Sequence, residues 1–132
     1  MNVIVAALCV LMFASFALPV MSIYVPGENV SGELTVHGFN FVEFTFIGII
    51  PIVCICLICA LAVFSDLSTK KCFVMKSSIV LSTAAYAYSF LNAKDFVSSI
   101  SSFPIEYKIG SLVYLVLAIS LFISIVKTRG EN

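Results

Sequence analysis

FTFIGIIPIVCICLICALAVF, residues 44–64, carries no charged side chain. At ~1.5 Å per residue a helix over this stretch rises about 30 Å, the thickness of the hydrocarbon core of a bilayer. It therefore reads as a membrane-spanning helix. Apolar stretches of similar length lie on either side of it, at residues 3–21, 72–91 and 109–126. The expected fold is all-α: a four-transmembrane-helix bundle, with helices over about 3–21, 42–64, 72–91 and 109–126, forming a single integral membrane domain over 1–132.

Composition points the same way. Of the 132 residues 61% are hydrophobic and 11% charged, with a mean hydropathy of +1.16, whereas a soluble domain carries about 25% charge. Seven Lys and Arg balance seven Asp and Glu, so no global field draws the chain to nucleic acid. The placement of charge is more informative than its sum. Lys70, Lys71 and Lys76 flank the second connection, Lys127 and Arg129 follow the fourth span, and residues 22–43 contain neither Lys nor Arg. The positive-inside rule then puts the second connection and both termini in the cytoplasm, with Lys94 and Lys108 outside. Short loops and tails point to a bacterial inner membrane. The first span lacks the basic n-region and cleavage site of a signal peptide and is expected to be retained.

Between the first two spans, residues 21–25 and 33–41 are rich in β-branched and aromatic side chains. They are separated by Pro26-Gly27-Glu28-Asn29-Val30-Ser31-Gly32, which is turn chemistry. A short extracytoplasmic β-hairpin over about 21–41 is expected, resting on helix ends or on a partner because an isolated hairpin is marginal in water. Asn29-Val30-Ser31 also fits a glycosylation acceptor. Phe39, Phe41, Phe44 and Phe46 are expected to gather at the outer interface. Asn40 followed by Glu43 resembles a helix N-cap with a reciprocal acidic partner. Pro51 is expected to kink helix two. Residues 92–108 read as a surface connection with a short helix ending at Pro104.

Helix three is the most polar span. At 100° per residue Ser78, Ser82, Ala85 and Ser89 fall on one stripe with Tyr86 beside it. Small residues at this spacing let helix backbones approach, and hydroxyls can bond across the contact. The stripe is read first as helix-packing surface and secondly as the lining of a pore. Cys54, Cys56 and Cys59 form C-x-C-x-x-C in helix two. The outer loops have no cysteine to partner them, and burial in hydrocarbon makes a thiol inert, so small packing residues are expected in place of redox or metal chemistry. Cys9 and Cys72, like these three, lie outside any oxidising loop, and no structural disulfide is expected. Lys76 lies about 6 Å into helix three, within snorkelling reach of the headgroups. His37 stands alone as the one histidine.

No catalytic, cofactor-binding or metal-binding set emerges from these residues. The expected function is non-enzymatic: an interaction, accessory or immunity-type protein. Its partners would be the lipid bilayer and another membrane protein, or a second copy in a homo-oligomer. The alternative is a small oligomeric transporter or channel subunit lined by the polar face of helix three.

Overall fold

The computed structural model describes residues 3–25, 32–64, 69–100 and 104–131. The chain is mostly helical, with five α-helices and a three-stranded sheet among the described residues: α1 (Val3–Ser15), β1 (Pro19–Val25), β2 (Gly32–His37), α2 (Phe41–Phe44), α3 (Ile50–Phe64), α4 (Thr69–Ile100), β3 (Glu106–Tyr107) and α5 (Gly110–Glu131). α1 packs against α3 and α5, and α4 packs against the same two. Each helix turns one 3.6-period stripe inward, for example Val5, Cys9, Met12 and Phe16 along α1 and its extension, and Tyr114, Ala118, Leu121 and Ile125 on α5.

Two stretches, Phe46–Phe64 and Gly110–Lys127, are long and apolar enough to cross a membrane. Only 33% and 28% of their residues are buried, unlike core helices of a soluble protein. α1 is apolar but has 13 residues, about 20 Å of regular helix. Tight turns carry it on, since the N–H groups of Phe16, Ala17 and Leu18 donate to the carbonyls of Phe13, Ala14 and Ser15. The helix expected over 3–21 therefore stops short, because a proline at 19 disfavours helical backbone at Leu18 and the Val, Ile and Tyr that follow favour a strand.

The expected hairpin is part of a larger sheet with order β2-β1-β3. β1 runs antiparallel to β2, with Ser22 opposite Thr35 and Ile23 opposite Leu34; the register slips at Val20, and the freed Val20 carbonyl accepts the Lys108 N–H at 2.8 Å. On the other side Met21 and Ser22 pair with Tyr107 and Glu106. The sheet rests on helices, as a small sheet must: α4 and α5 both touch β1, and the Phe90 and Tyr107 rings stack with centroids 5.9 Å apart. The Asn29-Val30-Ser31 turn lies outside the described residues.

Helix two, expected over 42–64 with a kink at Pro51, is interrupted earlier. After α2, Thr45 adopts extended backbone (φ −155°, ψ 140°), and a 3-10 turn at Phe46–Ile49 leads into α3. Pro51 is the second residue of α3, where its missing N–H has no intrahelical acceptor to lose. Asn40 does not cap α2 through its side chain; its Oδ1 accepts the backbone N–H of His37 at 2.8 Å.

α4 is one helix of 32 residues, about 48 Å long, where a span over 72–91 and a separate surface helix were expected. Between Thr69 and Pro104 there is no Gly or Pro, so the helix runs on through the polar residues Asn92, Lys94 and Asp95. α5 likewise continues to Glu131, past the apolar stretch 109–126.

Candidate functional site

The polar residues of α4 point inward. Ser78, Ser82, Ala85, Tyr86 and Ser89 are all buried. Ser82 shares a hydrogen bond with the Tyr114 phenol of α5, and Tyr86 pairs with Ser111 at 3.3 Å. Thr83 donates to the Ile79 carbonyl one turn back, at 2.9 Å. The Tyr86 and Tyr114 rings stack with centroids 4.0 Å apart and planes 6° from parallel.

An aromatic cluster surrounds this seam. Phe16 of the α1 extension lies 5.6 Å from Tyr114 and 6.0 Å from Tyr86, and Phe41 of α2 meets Tyr86 edge-on at 5.1 Å. Phe39 packs on Phe13 and Phe16. Of the phenylalanines expected at the outer interface, Phe41 is therefore a core residue, while Phe46 is 80% exposed. Sequence spacing could not place Phe41, because its inward turn depends on the break at Thr45. Glycine permits that fold-back: a Cβ on Gly48 would lie 2.6 Å from the Phe41 carbonyl.

Toward the sheet the polar matching fails. The hydroxyls of Ser89 on α4 and Ser22 on β1 are buried and have no hydrogen-bond partner among the described residues. Lys76 is half-buried on α4 beside an open groove with Phe73, Ser77, Val80, Leu81 and Ala84, so its four-carbon stem lies along apolar surface. His37 is half-buried at the end of β2.

No family model, curated protein or solved structure matches the chain. The chemistry of the site must be read from its own residues. Among the described residues no group of three His, Cys, Asp or Glu side chains could hold a metal ion. All five cysteines are free thiols: Cys9, Cys54 and Cys72 are buried, Cys59 is half-buried and Cys56 is exposed. The α4 seam consists of neutral hydroxyls and phenols. Such groups fix helix positions through directional bonds, and none of them is paired with a base that would activate it as a nucleophile.

Proposed function

We propose that this chain is a multi-pass protein of a bacterial inner membrane that acts without catalysis, as an accessory or immunity-type partner of another membrane protein. In this reading α1, α3, α4 and α5 are the four spans of a helical bundle, both termini are cytoplasmic, and the sheet stands on the outer face. The observation that carries it is the apolar outward face of the helices. Ser78, Ser82, Tyr86, Ser89 and Tyr114 are buried, while Ile4, Leu11, Val53, Leu57, Val80, Leu81, Leu115 and Ile119 are exposed. A helix apolar on its outward face belongs in lipid or against another protein.

Charge supports the orientation. Lys70 and Lys71 open α4 and Lys127 lies in the last turns of α5, at the end of the helices remote from the sheet, as the positive-inside rule asks of a cytoplasmic end. Partner binding draws on the exposed helix faces and on β2, which forms an edge of the sheet. The alternative, a channel lined by the α4 stripe, would require Ser82 to leave its bond to Tyr114.

The test is purification in mild detergent through a C-terminal tag, followed by mass measurement of the intact complex. A stoichiometric second polypeptide supports the accessory reading. A homo-oligomer that conducts solute in liposomes containing this chain alone replaces it with the channel.

A further inference from the structure

Lys76 is a cation set among apolar residues on the outward face of α4. At helical spacing it shares that face with Phe73, Ser77, Val80, Leu81 and Ala84, and the six line an open groove of about 460 Å³. Lys76 is half-buried and has no carboxylate partner among the described residues. Carboxylates are scarce around it: α1 and α3 contain none, the first along α4 is Asp95, and α5 has one, Glu131, at its end. Asp66, between α3 and α4 in sequence, lies outside the described residues.

The depth of Lys76 sets what its charge can meet. Lys70 and Lys71 follow Thr69 at the start of α4, and Lys76 lies five residues beyond Lys71, ~8 Å deeper. A headgroup region is about 5–8 Å thick on each side of the hydrocarbon, so an ammonium on a four-carbon stem reaches back from Lys76 to phosphate level. From Lys76 to Ala84 the groove then runs about 12 Å toward the midplane, most of the ~15 Å of hydrocarbon in one leaflet. Val80 also lines an apolar cleft of about 210 Å³ between α4 and α5, with Thr83, Leu115, Ile119 and Phe122. The Thr83 hydroxyl is already spent on the Ile79 carbonyl. Two apolar channels therefore open below one cation, the outline of a headgroup with two chains.

We propose that this face of α4 binds one anionic glycerophospholipid of the cytoplasmic leaflet. Lys76 and the Ser77 hydroxyl hold its phosphate, one acyl chain lies along Leu81 and Ala84, and the other enters the cleft beside Val80. A net negative headgroup is favoured over a zwitterionic one, because Lys70 and Lys71 add positive charge at headgroup level that repels a choline or ethanolamine group. The inference rests on the membrane reading, since it needs Lys76 at the phosphate level of a bilayer.

The experiment reconstitutes the whole chain in phosphatidylcholine vesicles holding a trace of phosphatidylglycerol with a photoactivatable diazirine on one acyl chain, and maps the labelled peptides after illumination. The expected result is label concentrated on residues 73–84 and on the α5 side of the cleft, displaced by unlabelled phosphatidylglycerol and not by further phosphatidylcholine. Lys76→Gln lowers that label about fivefold, the worth of one lysine near an anionic surface. Lys76→Arg keeps it, and Lys94→Gln, toward the other end of α4, leaves it unchanged. Label spread evenly over the exposed helix faces, or Lys76→Gln labelled as strongly as the parent, overturns the proposal. Flotation of the same vesicles separates the two readings. A chain that floats with evenly spread label overturns the lipid site alone, whereas a chain that does not float overturns the membrane reading and the site with it.

Discussion

Tyr86 and Tyr114 stack face to face, centroids 4.0 Å apart, and each phenol reaches a serine on the other's helix. The stack contributes about 0.5–1.5 kcal/mol beyond burial. A hydrogen bond between membrane helices averages about 0.6 kcal/mol, because the unfolded helices also find partners in the bilayer. Ring packing should therefore outweigh the hydroxyls. Tyr114→Phe is expected to cost about 1 kcal/mol or less, and Tyr114→Ala about 3–5 kcal/mol. Unfolding in mixed micelles with rising fractions of a denaturing detergent measures both. Equal losses would place the seam's strength in the hydroxyl and not the ring.

Ser89 and Ser82 occupy the same stripe and should respond in opposite directions. The Ser89 hydroxyl is buried without a partner among the described residues, so Ser89→Ala removes a desolvated polar group and is expected to be neutral or stabilising by up to about 1 kcal/mol. Ser82→Ala strands the Tyr114 phenol and should destabilise. The difference in unfolding midpoint between the two variants is the readout, and a loss at Ser89 equal to that at Ser82 would contradict the assignment.

Two glycines hold backbones together at the sheet end of the helices. A Cβ at Gly48 would lie 2.6 Å from the Phe41 carbonyl, and one at Gly110 would lie 2.7 Å from the Pro19 carbonyl oxygen. Backbone cannot swing aside as a side chain can, so alanine at either position should cost about 1–3 kcal/mol. Gly32→Ala is the control, with nothing within 4 Å of its added carbon, and should change stability little. Thermal unfolding of the three variants in one detergent ranks them.

The third strand is held by backbone and not by charge. Lys108 pairs with Glu106 at 2.9 Å, but the carboxylate side chain is 68% exposed, and such pairs are worth ~0–1 kcal/mol. The Lys108 N–H bond to the Val20 carbonyl is the contact that proline would remove. Lys108→Ala should therefore be tolerated and Lys108→Pro should not, with amide exchange at β1 reporting the loss.

What could be read in advance followed from solvent and period. The charge-free run of residues 44–64 marked its helix, and the turn-rich residues 26–32 marked two strands. The inward stripe of α4 was visible as serines at helical spacing. Polarity, however, is a poor guide to where a helix ends: Asn92, Lys94 and Asp95 read as the start of a surface connection with its own short helix because they leave the apolar phase, yet α4 runs through them. β3 was invisible because two residues carry no period, and its pairing with Met21 and Ser22 exists only after α4 has returned the chain to the sheet. That Cys9 and Cys59 line one cleft was hidden for the same reason, since tertiary packing joins sites that are distant in sequence.

The central claim is four crossings with the sheet outside, and sided cysteine labelling tests it most directly. In a cysteine-free background, single cysteines are introduced by Asn29→Cys, Ser68→Cys, Ser102→Cys and Thr128→Cys, then treated with a membrane-impermeant maleimide in intact and inverted vesicles. Four crossings predict that Asn29→Cys and Ser102→Cys react from the outside and that Ser68→Cys and Thr128→Cys react from the inside. Labelling of Asn29→Cys and Ser68→Cys from the same face, or extraction of the chain from the membrane by alkaline carbonate, would contradict it.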